Sequence, residues 1–266
     1  MTSLRQLEDR MHAWQSFRGI ARATRTLAAA QSLQWNESAH RAEQHLRRCL
    51  ELRDAYPSAM PPPDAPYVVL GLGSDLGLCG PFNRTIAERF TAQRPHAARG
   101  LVVGARLGAL VGRDQNTLTA PTSFPRVQSL ATELELLLDD LPPMHTRLVV
   151  VLAIAVDPDG RPRVEVLDEP GPRAPASSSA RVAELSSVQD TGSIIATTTR
   201  HARIVAALTR SAASETEARW RTMNRAFDAA DRRIGEQQRE LRKQRQEQVT
   251  QEMLEARQGG RASPGP

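Results

Sequence analysis

The sequence predicts a small α/β sheet domain carried between two long terminal helices. No proline occurs before position 57 or between positions 190 and 263, whereas the middle breaks into short apolar runs separated by proline and glycine. Hydrophobic residues make up 40% and aromatic residues 4% of the 266-residue chain. That is thin for a single compact globule and is the balance expected of elongated helices that each bury only a stripe.

The first helix is expected from Ser3, a candidate cap, to the prolines that begin at Pro57. Its apolar series at helical spacing reads Leu4, Leu7, Met11, Trp14, Phe17 or Arg18, Ala21, Leu27 and Ala28, closing with Leu46, Cys49 and Leu50. Roughly 50 residues of helix would extend about 75 Å, more than a small domain needs. Small residues around Arg22 to Ala30 permit close approach of another helix, although alanine favours helix without any such reason.

The last helix carries Ile204, Leu208, Met223, Ala226, Phe227, Ala230, Ile234 and Leu241 as its stripe, weakened locally by Gly192 and Gly235. Between Glu236 and Gln251 the stripe shrinks to Leu241 and Val249, so this stretch is solvated or lies against a polar protein surface. Two amphipathic helices without other covers satisfy one another as an antiparallel coiled coil of imperfect heptads. The expected organisation is a helix over 1–57, a proline-rich connector over 58–66, a sheet domain over 67–180, a second helix over 181–260 and a frayed tail over 261–266.

In the middle, strands are expected at 67–73, 101–105 and 147–156, with an edge strand at 163–167 and helices at 82–93 and 126–141. Apolar strands alternating with helices indicate βαβ units and a Rossmann-like sheet covered on both faces. Gly71, Gly73, Gly77 and Gly80 follow the first strand where a phosphate loop would sit. Leucine at 76 breaks the GxGxxG spacing, and no GK[ST] occurs, so nucleotide binding is not expected.

Lys and Arg total 35 against 30 Asp and Glu, a net charge of +5, and Lys243 is the sole lysine. Arginine forks suit carboxylates and phosphates alike, and a G·C-rich coding sequence would give the same bias. Nucleic-acid binding through Arg41, Arg47, Arg48, Arg53, Arg232, Arg233, Arg239, Arg242 and Arg245 stays open, though acidic residues interrupt both sets. Cys49 and Cys79 form no metal-ligand spacing and fit a reduced protein. The opening MTSLRQLEDR lacks a signal-peptide run and no apolar stretch reaches 18 residues, so any membrane association is expected to be peripheral. Asp75 near a strand end could be a pocket carboxylate or a turn residue, and His145 could pair with Asp139 or Asp140. No nucleophile elbow accompanies them.

The segment SDLGLCGPFN, from Ser74 to Asn83, resembles the SDRGLCGGxN signature of the gamma subunit of rotary F-type ATP synthases. Gly19 to Ala30 occupies the place of that family's ITKAMKMVAAS run. Ser214, Glu215, Arg219, Met223 and Ala226 resemble its SE...RM..M..A pattern, and Arg245, Gln246 and Thr250 to Glu252 resemble its RQ...TQE. Glu169 and Pro170 stand where the family has an EP pair. The chain departs from the pattern at Thr24 to Leu27, where the methionine-lysine pair is absent, and at Leu76 and Pro81, which replace arginine and glycine.

The resemblance implies a non-catalytic rotor shaft. It would sit at the cytoplasmic face of a bacterial plasma membrane, with alpha, beta and epsilon subunits and a ring of c subunits as partners. No cofactor would bind this chain; ATP, ADP and magnesium would bind the partner alpha and beta subunits. Arg245, Gln246 and Thr250 would face the catch loop of beta, and Arg22 and Arg25 its lever region. Asp75, Leu76, Gly77, Leu78, Cys79 and Gly80 would form a foot near epsilon and the ring.

Overall fold

The computed structural model describes residues 4–56, 60–112, 116–168 and 188–259. In chain order the elements are α1 (Leu4–Asp54), β1 (Tyr67–Leu72), α2 (Phe82–Gln93), β2 (Arg99–Val103), α3 (Ala105–Val111), β3 (Asn116–Leu118), α4 (Phe124–Leu136), β4 (Arg147–Val156), β5 (Pro162–Leu167) and α5 (Val188–Gly259). The chain divides into two compact units. One joins Met1–Thr26 to Met223–Pro266, and the other is Leu27–Thr222.

The second unit is built on a five-stranded sheet in the order β3-β2-β1-β4-β5. β1 pairs in parallel with β2 and β4, β2 in parallel with β3, and β5 returns antiparallel to β4. This is the expected Rossmann-like arrangement, and the alternation of side chains along its strands explains both covered faces. Leu70, Leu72, Val103 and Val150 pack with Val127, Leu130 and Leu134 of α4 and Ile204 and Leu208 of α5. Val69, Val102 and Val149 on the other face pack with Phe82, Ile86 and Phe90 of α2 and Leu107 of α3.

Two elements were absent from the sequence reading. α3 is seven residues long and β3 three, too short for a periodicity to show. Helix α4 starts earlier than expected because Pro125 fits its first turn. It stops at Leu136, short of 141, where the chain turns before Pro142 and Pro143.

Along α1 one series of buried and half-buried positions recurs at alternating spacings of three and four residues: Leu4, Leu7, Met11, Trp14, Arg18, Ala21, Arg25, Ala28, Ser32, Trp35, Ala39, Ala42, Leu46, Cys49 and Arg53. That is an unbroken heptad seam, and it corrects the expected stripe. Leu27 is 60% exposed, and Arg18 rather than Phe17 faces inward. Phe17 instead meets Trp14 edge to face at 5.9 Å.

In the first unit α1 and α5 run antiparallel. Glu8 pairs with Arg245 at 2.7 Å and Arg18 with Asp231 at 2.7 Å, while Arg25 donates to Asn224 at 3.0 Å. α5 holds Met223, Ala230, Ile234 and Leu241 inward there, and everything from Arg245 to Arg257 is exposed. In the second unit Glu43 pairs with Arg210 at 3.3 Å, and Thr199 Oγ1 donates to the Cys49 carbonyl. Between Ala202 and Arg219 α5 is covered almost all round, by α1 on one side and the sheet on the other. Alanines and Ser/Thr allow that double approach. Glu169 and Pro170, the proline-, alanine- and serine-rich stretch 170–180, Ser3 and the tail 261–266 lie outside the described residues.

Candidate partner interface

Open α/β sheets bind ligands at the carboxyl ends of the strands where the strand order reverses, here between β1 and β4. In this chain α5 covers the neighbouring ends of β1 and β2. Leu208, Ser211, Ala212 and Glu215 close over Leu72, Gly73, Val103, Ala120 and Pro121, leaving a cavity of about 10 Å³. That is roughly the room one water needs. The glycine-rich turn therefore faces a helix of its own chain instead of a phosphate.

The turn is held from within. Asp75 uses both carboxylate oxygens, accepting the amides of Ala105 at 2.8 Å and Ala120 at 2.9 Å. It ties together the three segments that follow β1, β2 and β3, which is a turn role. Asn83 brackets Ser74, accepting its amide at 2.9 Å and donating to its hydroxyl at 2.8 Å. Gly104 has φ +104, and a Cβ there would stand 2.5 Å from the Ser74 nitrogen, so only glycine fits.

Cys79 is 2% exposed and receives a contact from Asn83 Nδ2 at 3.6 Å. Burial pushes its thiol up from the usual range, against the lowering effect of Ser74. Leu76 and Leu78 point the other way, 67% and 51% exposed. Leu78 has φ 67, a left-handed conformation that leucine rarely adopts. The outward surface of the Asp75 to Gly80 segment is thus apolar.

Glu215 and Arg219 sit beside this turn on α5. Arg219 donates to the Glu215 carboxylate and, through Nε, to the Gly77 carbonyl at 3.5 Å. Burial raises the Glu215 carboxyl above its ordinary value, and the neighbouring Arg219 offsets only part of that. The family resemblance names both residues but implies no role for the pair. The four-residue spacing of Glu and Arg was the available signal.

The residues assigned to partner contacts differ in their freedom. Arg22 is exposed, whereas Arg25 is half-buried, with its guanidinium 4.4 Å above the centre of the Phe227 ring. Gln246 and Thr250 are exposed, with Thr250 Oγ1 donating to the Gln246 carbonyl at 2.8 Å. Arg245 is exposed but engaged with Glu8. Several arginines offered to phosphate are spent elsewhere: Arg53 is 2% exposed, Arg233 pairs with Glu236, and Arg239 and Arg242 donate to carbonyls of their own helix. Asp140 pairs with Arg99 at 2.7 Å, not with His145, and the hydrogen bond from Arg99 holds its carboxyl below the usual range.

Among the described residues no group of three or more His, Cys, Asp or Glu is placed to hold a metal, and no helix is long and apolar enough to cross a membrane.

An antiparallel helix pair in one unit and, in the other, a mostly parallel sheet with α5 over its strand ends define an α/β coiled-coil protein. A family model described as ATP synthase matches residues 3–262, and the chain belongs to that family. It resembles the gamma subunit in particular. The ATP synthase gamma chain of Bartonella henselae is 29% identical over 138 residues, a stretch covering 44% of this chain and 45% of that one. The matched stretch thus spans less than half of that relative.

Solved structures share the fold at low identity. A chain of the Euglena gracilis mitochondrial ATP synthase, in an OSCP/F1/c-ring structure, superposes with a TM-score of 0.68 at 16% identity, covering 98% of this chain and 97% of that one. A chain of the Tetrahymena thermophila mitochondrial ATP synthase central stalk/c-ring gives 0.56 at 14% identity, covering 78% and 99%.

Proposed function

We propose that this chain is the non-catalytic central rotor shaft of a rotary F-type ATP synthase or ATPase. Proton or sodium movement through a ring of c subunits would turn it, and its asymmetric helix pair would drive nucleotide exchange on an alpha/beta hexamer. The observation that carries this reading is the family match across 3–262. ATP, ADP and magnesium would be held by the alpha and beta partners, and the chain would be peripheral at the cytoplasmic face of a bacterial plasma membrane.

The geometry supports the reading. A shaft couples sites only if its faces stabilise different partner conformations, and the coupling is reciprocal. α1 and α5 present unlike faces, and the last described turns of α5 carry exposed Val249, Met253 and Leu254. A single helix of this kind is marginal in water without cover. A surrounding protein sleeve supplies that cover. Exposed Gln246 and Thr250, with Arg245 released from Glu8, would meet the catch loop of beta, and Arg22 with Arg25 the lever region. In the proposed foot or collar contact of Asp75, Leu76, Gly77, Leu78, Cys79 and Gly80 with epsilon and the ring, Leu76 and Leu78 offer the outward atoms.

Purification of the native complex through a tag on this chain tests the reading. Alpha and beta subunits in fixed proportion are the expected companions, and removal of the last 20 or so residues should abolish coupled pumping. Recovery of the chain without any such subunits would overturn it.

A further inference from the structure

The turn after β1 is joined to α5 by bonds that lie along one side of that helix. Ser211 Oγ donates to the carbonyl of Leu72 at 3.1 Å and Arg219 Nε to that of Gly77 at 3.5 Å, while Glu215, one turn back on α5 itself, holds the Arg219 side chain in place. The Arg219 and Glu215 side chains are only 11% and 17% exposed. Thr222 Oγ1 is buried, and a Cβ at Gly80 would stand 3.0 Å from it. Positions 211, 215, 219 and 222 follow one another at spacings that share a helix face.

Farther from Thr222, α5 is also tied off its axis by Arg200 to Glu135 and the Leu141 carbonyl and by Arg210 to the Ile154 carbonyl. Nearer Thr222, Ala212, Ala213 and Ala218 supply much of its buried surface, and small, non-directional contacts offer little against rotation of a helix about its own axis. The two off-axis hydrogen bonds to Leu72 and Gly77 do oppose it, provided that the turn itself cannot follow. Asp75 and Asn83 anchor it on the sheet side.

We infer that Arg219, with Ser211 and Glu215, is a positioning group that locks α5 to the sheet domain against rotation about the helix axis, so that torque on the domain reaches the shaft. The inference rests on the rotor reading above and adds to it a point, next to Thr222, where torque crosses. Leu76 and Leu78 are then held by the same collar, so a partner pressing on them acts on α5 directly.

The test uses the complete membrane complex in vesicles, comparing ions pumped per ATP hydrolysed for the native chain, Arg219→Lys and Arg219→Ala. With Arg219→Ala the ratio should fall at least about threefold while hydrolysis persists, and Arg219→Lys should lie between. A second arm makes Ser211→Ala, alone and together with Arg219→Ala, to remove the other bond to the turn. Ser211→Ala should lower the ratio on its own, and the double variant should fall below either single one.

An unchanged ratio in assembled Arg219→Ala complex, or a ratio lowered by Arg219→Ala but untouched by Ser211→Ala, overturns the collar while leaving the rotor reading intact. A native chain that joins no pumping complex overturns the rotor reading and the torque role together.

Discussion

The guanidinium of Arg25 lies 4.4 Å above the ring centre of Phe227. The same side chain donates to Asn224 at 3.0 Å, so a cation stands in the helix seam where an apolar residue is usual. Arg25→Ala should lower the stability of the full chain by about 1–2 kcal/mol, the sum of a cation–π contact and a hydrogen bond. A double-mutant cycle with Phe227→Leu in urea should show coupling of about 0.5–1 kcal/mol. Additive effects would mean that the stacking contributes nothing.

Gly235 and Gly104 should respond in opposite senses to the same change. At Gly235, inside α5, an added Cβ meets nothing within 4 Å, so Gly235→Ala should stabilise by roughly 0.5–1 kcal/mol. At Gly104, with φ +104 and the Ser74 backbone in the way, alanine should cost roughly 2–3 kcal/mol. Thermal unfolding of both variants checks the pair, and a loss at 235 would show that the helix kinks there.

Glu215 links stability to pH with a definite sign. Its folded value is raised from an ordinary 4.5 by burial, so the fold favours the protonated form. The resulting stabilisation is complete below about 4.5 and is lost as pH rises through the folded value. Glu215→Gln keeps an acceptor for Arg219 and removes the titration. The difference in stability, variant minus native, should therefore grow in the variant's favour between pH 4 and pH 7 in urea unfolding. A flat difference would contradict the shift.

Both cysteines should resist alkylation in the folded chain. Burial raises the thiol of Cys79 and that of Cys49, and the thiolate is the reactive form. Iodoacetamide at neutral pH should label neither until denaturant is added, as mass spectrometry would report. Prompt labelling of Cys79 would show that the turn from Ser74 to Gly80 opens readily.

Much of the fold was legible because long periodicities survive any environment. The strand Arg147–Val156 and the helix Phe82–Gln93 follow from apolar runs and their punctuation. The seam of α1 was readable only in part, because Arg18, Arg25, Ser32 and Arg53 occupy inward positions that hydrophobicity does not mark. Arg53 can be inward only where its neighbours cover it, which is a property of the packed structure.

The candidate site divides along the same line. The motif residues Asp75, Cys79, Glu215 and Arg219 stood out in the chain, but their work did not. Asp75 reaches amides 30 and 45 positions away, and Arg219 reaches a carbonyl 142 positions away.

By itself the sequence determined the element types, the antiparallel pairing of its ends and the family, since these depend on local spacing and ordered motifs. Only the tertiary structure decided that the glycine-rich turn is bonded to α5 and that α5 covers the ends of β1 and β2. Those outcomes turn on which distant groups share a few ångströms, and hydrogen bonds and close packing act only at that range.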